Sequence, residues 1–219
     1  MSQIGSIVLT GMSNLGKSHW SDPNFPDRLP SLGFVPFECD DEIAKRLDPW
    51  LKEQGYSGGI ADVARWMGQP YEPQYPVNSR RYLDFEAEVM RKAVACLREA
   101  TQPLVISTTG SVVYLDKEIL EVLRSLATVV MLEAPEGHEN KLFRKYIVEP
   151  KPVYWDDAFD LQPNEQPLAA LARCYPRLLR LRKARYRKFA HIALGYHELR
   201  APGFAALDFV DRVRTLVLE

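Results

Sequence analysis

Near the start of the chain, residues 11 to 18 read Gly11-Met12-Ser13-Asn14-Leu15-Gly16-Lys17-Ser18, a complete match to the pattern G-x-x-x-x-G-K-[ST]. In this pattern the glycines let consecutive backbone amides converge on phosphate oxygens, the lysine reaches the outer phosphates, and the final hydroxyl binds Mg²⁺. We therefore expect all eight residues to bind the phosphates of a nucleoside triphosphate, with Lys17 also catalytic and Ser18 also a metal ligand. A glycine turn with a solvent-exposed lysine is the alternative.

The sequence around this loop favours a buried parallel sheet. Ile7, Val8 and Leu9 form a short apolar run just before the loop, which is typical of a strand covered on both faces. Further along, strand-like and helix-like stretches alternate. The predicted strands are 33–37, 104–107 and 129–132, and the predicted helices are 43–54, 60–67, 79–98 and 117–125. This alternation predicts an α/β fold, with a central parallel sheet between two layers of helices.

Two proline-rich stretches interrupt the pattern. Pro23, Pro26 and Pro30 follow the loop so closely that the helix after it is predicted to be short or broken. Residues 68–78 are rich in proline and tyrosine, and we expect an ordered loop or a lid there, because aromatic side chains would be wasted in a solvated linker. Ser79 is the predicted cap of the helix that follows.

Polar residues follow the predicted strands, at the edge of the sheet where ligands of such folds bind. Glu38 and Asp40 come after the second strand, and a polar turn at 108–111 comes after the third. Two residues apart on an extended strand end, Glu38 and Asp40 would point the same way. Glu38 is then a candidate metal ligand acting through water, and Asp40 a candidate to bind and deprotonate an acceptor hydroxyl. For Asp40 the alternative is a helix N-terminal cluster, which is how Asp41 and Glu42 are interpreted.

The composition bounds the class of protein. With 219 residues, 46% of them hydrophobic, and a net charge of −1, the chain suits one globular domain and has no overall electrostatic attraction to nucleic acid or an anionic membrane. Cys39, Cys96 and Cys174 are too far apart for a zinc site and odd in number, which disfavours a disulfide framework. We expect a cytoplasmic protein with no membrane partner, because neither a signal peptide nor a long apolar run is evident.

The order of the motifs resembles that of the shikimate kinases. That family combines the phosphate loop with a D-x-D motif, an I-x-D-[IV] helical turn, a helix carrying E-x-x-V, a glycine turn after a strand, a V-[IV]-x-L strand, a lid with two basic residues seven apart, and an R-x-x-x-Y helix. The corresponding segments here are 11–18, 38–43, 60–63, 86–89, 109–112, 129–132, 144 with 151, and 182–186. The resemblance therefore runs through most of the chain.

The resemblance implies a single P-loop kinase domain over residues 1–219, a three-layer α/β/α sandwich with a substrate-binding helical region at about 40–100 and a mobile lid at about 140–165. It implies ATP and Mg²⁺ as cofactors and a monomeric state. In the lid, Lys151 takes the place of a catalytic arginine that meets the transferring phosphate, and Arg144 takes that of an arginine lying against the nucleotide. A solvated basic loop is the alternative for this segment.

The resemblance also implies residues around the acceptor. Arg182 corresponds to an arginine that binds the carboxylate of the substrate, and the turn Thr109-Gly110-Ser111 lies where backbone amides approach the substrate ring. Arg182 sits in the basic run 177–188, whose other members we expect to form a solvated helix face. A nucleic-acid patch is the weakest alternative for that run, because the net charge is near zero and aromatic residues there are few.

Several positions depart from the family pattern. Leu83 stands where the family has an arginine three residues before the helix glutamate, so Arg81, with Arg80 beside it, is retained as a candidate substrate ligand. The remaining departures are Thr109 and Ser111 in place of glycines, Glu38 in place of an aspartate, and the insertion 68–78, whose role the sequence does not reveal. All of them fall on substrate recognition or metal geometry, whereas the nucleotide motifs are preserved.

Three functional hypotheses follow. The first is ATP-dependent phosphoryl transfer to a hydroxyl of a small metabolite, with shikimate as the favoured acceptor. The second is a kinase for another hydroxylated acid or a sugar acid. The third is a nucleotide-binding regulatory module that has lost transfer, which the departures at Leu83 and in the glycine turn motivate.

Overall fold

A computed structural model describes residues 5–218 and contains one five-stranded sheet. All neighbouring strands are parallel, and their spatial order is β2-β3-β1-β4-β5. The strands are β1 (Ile7–Thr10), β2 (Val35–Glu38), β3 (Leu104–Ser107), β4 (Thr128–Glu133) and β5 (Ile192–Gly195). The prediction of an α/β fold with a central parallel sheet is confirmed.

Eight α-helices connect and flank the described strands. They are α1 (Lys17–Ser21), α2 (Cys39–Glu53), α3 (Ile60–Met67), α4 (Tyr75–Glu99), α5 (Lys117–Leu126), α6 (Glu139–Val148), α7 (Pro167–Phe189) and α8 (Ala206–Leu218). Short 3₁₀ turns lie at Leu29–Leu32, Val112–Tyr114, Asp156–Ala158 and Glu198–Arg200. As the prolines predict, α1 is only five residues long.

The middle of the sheet is the centre of the hydrophobic core. Every residue of β1 and β3 is buried, and the four central residues of β4 are buried as well. In register, Ile7 lies between Val105 of β3 and Thr128 of β4. Such continuous burial requires helices on both faces of the sheet, which explains why these strands read as uninterrupted apolar runs rather than alternating ones.

The sequence did not reveal β5, which forms one edge of the sheet. Its four residues alternate in exposure and only Leu194 is fully buried, so the strand lacks the apolar run that marks the central strands. Val130 and Ile192 are paired at the start of this ladder. The loop after β5 is therefore brought to the same edge as the phosphate loop.

Two predicted boundaries are wrong. Helix α4 begins at Tyr75, so Ser79 is not its cap but lies one turn inside, with its hydroxyl bonded to the carbonyl of Pro76. Proline at the start of a helix has no amide hydrogen to satisfy, and Pro76 accordingly occupies the first turn. Asp40 is not on an extended strand end, because β2 stops at Glu38 and α2 starts at Cys39.

The expected lid contains α6 and the irregular segment after it. Helix α6 packs against α7, and residues 149–159 are irregular apart from one 3₁₀ turn, which also contacts α7. Within residues 5–218 we find no helix that combines the length and apolar character needed to cross a bilayer.

Candidate active site

The phosphate loop joins β1 to α1, and its backbone explains its glycines. Gly11 and Gly16 have φ angles of 132° and 103°, which side chains disfavour. A Cβ at Gly11 would also lie 2.6 Å from the carbonyl oxygen of Leu132 in β4. Asn14 adopts a positive φ of 68°, a conformation that asparagine tolerates better than most residues. The loop therefore has the open, curled backbone that the motif predicts.

Lys17 is buried beneath this loop. Its ammonium donates hydrogen bonds to the carbonyl oxygens of Gly11 and Met12, at 2.9 and 3.0 Å. Burial lowers the pKa of Lys17 to about 8, while the carboxylate of Asp40 partly opposes that effect. At neutral pH the side chain is therefore predominantly charged, with its charge directed at the loop that would hold phosphate.

The hydroxyls of Ser18 and Ser21 lie beside the carboxylate of Glu38. Ser21 donates to Glu38, and Ser18 Oγ lies 3.4 Å from Ser107 Oγ at the end of β3. Burial raises the pKa of Glu38, and hydrogen bonds from the serines oppose the shift. A hydroxyl and a partly buried carboxylate suit Mg²⁺, which binds few protein groups and keeps water and phosphate oxygens as its other ligands. No cluster of three or more potential ligands forms an all-protein metal cage within residues 5–218.

Asp40 and Lys151 form an ion pair, and both residues line an open cleft. The carboxylate of Asp40, in the first turn of α2, lies 3.9 Å from the ammonium of Lys151, in the segment after α6. Burial raises the pKa of Asp40, and Lys151 and Lys17 both oppose that rise. The cleft has a volume of about 540 Å³ and is also lined by Ser18 and Glu38. It can therefore hold a small molecule beside the candidate acid-base group.

A second cleft of about 230 Å³ opens on the other side of Lys151, above the phosphate loop. Its basic lining residues are Lys17, Lys145, Lys151, Arg200 and His19. Both Lys145 and the predicted residue Arg144 are exposed on helix α6, and of the two only Lys145 lines this cleft. Arg200 belongs to the loop after β5, and it was not predicted as a site residue because strand β5 itself was not predicted.

An aromatic and basic cluster adjoins Arg200. The guanidinium of Arg200 lies 5.4 Å from the ring centre of Tyr196, and the ring of His138 lies 5.4 Å from the same tyrosine. Lys141 and His197 also contact Tyr196. Sequence patterns did not single out any of these residues, because Tyr196, His197 and Arg200 follow a strand that was not predicted and none of the five belongs to a recognised motif.

Glu86 is at the centre of a buried polar group on the acceptor side. It is fully buried in α4, and its carboxylate accepts hydrogen bonds from Thr109 and, at 2.7 Å, from Ser111. Burial raises the pKa of Glu86 to about 8. The two hydroxyls that replace glycines in the turn after β3 therefore bind this carboxyl group, rather than pointing into an open substrate pocket.

Arg182 is buried against the same turn. Only 1% of its surface is exposed, it donates a hydrogen bond to the carbonyl oxygen of Tyr154 at 2.7 Å, and it lies 5.6 Å from the ring of Tyr114. Its Nε has no hydrogen-bond partner within residues 5–218. A Cβ at Gly110 would approach Arg182 Nη1 to 2.9 Å, so the turn retains a glycine where the guanidinium passes.

Arg81 is not part of this group. It is exposed on α4, and its guanidinium lies 4.9 Å from the ring centre of Trp50. Burial raises the pKa of the Tyr154 phenol and the charge of Arg80 opposes that rise, so Arg80 acts on the residue whose carbonyl oxygen Arg182 binds. Leu83 is partly buried and packs against the core. The structure thus gathers Arg182, Gly110 and the two hydroxyl residues, and separates Arg81 from them.

Four other basic residues of the run 177–188 in α7 pair with carboxylates. Arg177 contacts Asp160, Arg185 contacts Asp156, and both Lys183 and Arg187 contact Glu133. These ion pairs neutralise much of the basic run, which agrees with the expectation of a solvated helix face.

Comparison with known proteins identifies the architecture. No family model matches the sequence, and no curated protein matches it. Three solved structures superpose over nearly the whole chain. They are a shikimate kinase from Aquifex aeolicus (19% identity, TM-score 0.56, 97% and 98% of the two chains), one from Acinetobacter baumannii in complex with shikimate (21%, 0.55, 99% and 94%) and one from Bacteroides thetaiotaomicron (16%, 0.54, 98% and 97%).

The chain has the shikimate kinase fold. At 16 to 21% identity the likeness concerns the architecture. Within that fold, the phosphate loop, Asp40 and Lys151 meet at the carboxyl end of the sheet, where parallel α/β folds bind ligands.

Proposed function

We propose that the protein is a kinase that transfers the γ-phosphoryl group of ATP to a hydroxyl of a small metabolite. The observation that carries this proposal is the meeting of Lys17, Asp40 and Lys151 around one cleft. Phosphoryl transfer requires positioning and charge stabilisation more than covalent catalysis. A phosphate loop with its lysine, a carboxylate and a second cation on the opposite wall supply those requirements.

In the proposed reaction, the carboxylate of Asp40 accepts the proton of the acceptor hydroxyl. The acceptor oxygen forms a bond to the γ-phosphorus, the bond between that phosphorus and the bridging oxygen breaks, and the electron pair leaves with ADP. Lys17 and the loop amides stabilise the charge that develops on the leaving phosphates. Lys151 reaches the transferring group from the opposite side, since its ammonium already lies beside Asp40.

Ser18 and Glu38 would hold Mg²⁺, with Glu38 acting through a water molecule. The bound ion would supply neutralisation of phosphate charge. Ser18 and Glu38 would orient the ion, because the serine hydroxyls that bond to Glu38 fix its carboxylate beside the loop.

The remaining nucleotide contacts follow from the basic cleft. Lys145 and Arg200 face the phosphate loop and are proposed to contact the nucleotide, in place of the predicted Arg144. The ring of Tyr196, flanked by Arg200 and His138, is proposed as an aromatic surface on which a base could stack.

Shikimate is the acceptor that the sequence pattern nominates, and Arg182, the proposed ligand of its carboxylate, is buried beside a narrow cavity that Lys151 and Ser13 also line. A specific observation favours a second acceptor, such as another hydroxylated acid or a sugar acid. The chain has Leu83 where the family pattern has an arginine, so one cation is missing. The hydroxyls of Thr109 and Ser111 donate hydrogen bonds to Glu86, so this turn differs in shape from a run of glycines.

The test is ADP release from Mg·ATP with and without shikimate, with Lys17→Ala as the blank. Stimulation by shikimate supports both the reaction and the acceptor. Stimulation only by other hydroxylated acids supports the kinase and replaces the acceptor. If no acceptor stimulates ADP release although Mg·ATP binds, the proposed transfer is wrong and a nucleotide-binding regulatory role takes its place.

A further inference from the structure

The segment that carries Lys151 is held by its backbone. We call residues 151–155 the strap. Three consecutive residues of the strap, Val153, Tyr154 and Trp155, each have a backbone group bound by a side chain from outside it. Tyr154 is bound by Arg182 of α7, and the other two are bound by a single tyrosine.

That tyrosine is Tyr75, the first residue of α4. Its hydroxyl donates to the carbonyl oxygen of Val153 at 3.0 Å and accepts from the amide of Trp155 at 2.7 Å. Only 7% of Tyr75 is exposed, and burial raises the pKa of the phenol, so the hydroxyl stays protonated and can make both bonds. Two hydrogen bonds from one rigid side chain fix the path of the backbone between them.

Tyr75 belongs to the proline- and tyrosine-rich segment whose role the sequence left open, and neighbouring residues of that segment also contact the lid. Gln69 accepts a hydrogen bond from Tyr146 of α6, and the ring of Tyr71 contacts the ring of Phe159. Trp155 Nε1 donates in turn to the hydroxyl of Tyr146 at 3.4 Å. The segment thus contacts the strap through Tyr75 and the residues on either side of the strap through Gln69 and Tyr71.

We infer that Tyr75 is a positioning residue for phosphoryl transfer: by holding Val153 and Trp155, it sets the place from which Lys151 reaches Asp40 and the transferring phosphate. Only Pro152 separates Lys151 from the residue that Tyr75 holds, and proline restricts the backbone on both sides of itself. The inference rests on the proposed function, because it requires Lys151 to act on the phosphoryl group.

The experiment compares Tyr75→Phe with Tyr71→Phe, in the wild type and in a Lys151→Met background. Tyr71→Phe is the matched control, since its hydroxyl makes no hydrogen bond within the part of the chain that the structure describes. The readout is the dissociation constant of Mg·ADP with and without aluminium fluoride, which mimics the transferring phosphoryl group and requires no identified acceptor. The constant for Mg·ADP alone checks that each variant is folded.

We expect aluminium fluoride to tighten wild-type binding, and Tyr75→Phe to reduce that gain about tenfold, as the loss of a charge-assisted contact would. Tyr71→Phe should leave the gain unchanged. In the Lys151→Met background, where the gain is already lost, Tyr75→Phe should change it less than about twofold, because residues that act through one another are not additive.

Equal losses in both backgrounds, or no loss in either, would overturn the inference. A wild type that binds Mg·ADP without any gain from aluminium fluoride contradicts the role of Lys151 and the inference with it. A wild type that binds no nucleotide refutes the proposed function itself. Should Tyr75→Phe fail to fold, amide hydrogen exchange on the wild type decides: a Trp155 amide much more protected than those of the exposed residues Leu161 and Asn164 supports the proposed hold, and one that exchanges as fast as they do excludes it.

Discussion

The ammonium of Lys151 lies 3.9 Å from the carboxylate of Asp40, so the segment expected to form the lid contacts the acid-base candidate directly. Both residues line the cleft, Asp40 from α2 and Lys151 from the strap. Any ligand that enters between them must separate this ion pair or place its own charge on it.

Asp40→Asn should leave Mg·ATP binding within about twofold of the wild type and reduce phosphoryl transfer by about 10² to 10⁴, because the amide cannot accept the proton of the acceptor. The measurement is kcat for ADP release together with the dissociation constant for Mg·ATP. Asp41→Asn, one residue along the same helical turn and exposed, is the control and should retain activity. Equal activity in the two variants would remove Asp40 from the mechanism.

Lys145→Ala should weaken Mg·ATP binding by about tenfold, since a cation in contact with phosphate contributes roughly 1.5 kcal/mol. Arg144→Ala, its exposed neighbour, should change the affinity less than twofold. Titration of both variants with Mg·ATP decides between them. If Arg144→Ala weakened Mg·ATP binding more than Lys145→Ala did, Arg144 would be the nucleotide ligand, as the sequence pattern predicts.

Glu86→Gln should remove a pH dependence of stability. In the folded protein the pKa of Glu86 is about 8, whereas an unfolded chain has an ordinary carboxyl pKa near 4.5. The folded state therefore binds the additional proton between these values, and the stability that it contributes is full below about pH 4.5 and lost as pH rises towards 8, by at most about 1.4 kcal/mol per pH unit.

Urea unfolding at pH 5, 6, 7 and 8 tests this expectation. As pH increases, the unfolding free energy of Glu86→Gln should rise relative to that of the wild type. A pH-independent difference would mean that Glu86 is ionised in the folded protein throughout this range.

Gly110→Ala should weaken binding of the acceptor more than that of ATP, because the new methyl group meets Arg182 Nη1 at 2.9 Å and Ser13 Oγ at 3.2 Å. Arg182 is buried and cannot swing freely aside, so we expect a destabilisation of about 1 to 3 kcal/mol as well. Gly195→Ala in β5, where a methyl group meets nothing within 4 Å, is the control. The measurements are thermal unfolding and the KM values for ATP and the acceptor. If Gly110→Ala left the KM for the acceptor unchanged, this turn would not take part in acceptor binding.

The nucleotide half of the site could be read from the sequence because its chemistry depends on local backbone. The glycines and Lys17 act within one loop, and the apolar run before it marks a strand without knowledge of any distant residue. Strands β1, β3 and β4 followed for the same reason, and β2, at one edge of the sheet, was predicted as well. The edge strand β5 did not, because its alternating exposure leaves only one fully buried residue in four.

The rest of the site depends on contacts between distant parts of the chain. Whether Arg144 or Lys145 faces the loop is decided by the rotation of α6 about its axis, which packing against α7 sets. Glu86 looks like an ordinary glutamate of an amphipathic helix, and only its hydrogen bonds to residues 23 and 25 positions away distinguish it. The proline- and tyrosine-rich segment was recognised as ordered, but its hold on Val153 and Trp155 spans about 80 residues.

The hydrogen bonds from Thr109 and Ser111 to Glu86 also limit which substitutions this turn can tolerate. Replacing either residue by glycine, to resemble the turn of a shikimate kinase, would leave a fully buried carboxyl group short of a donor. Positions 86, 109 and 111 therefore depend on one another, and we expect tolerated substitutions at them to occur together rather than singly.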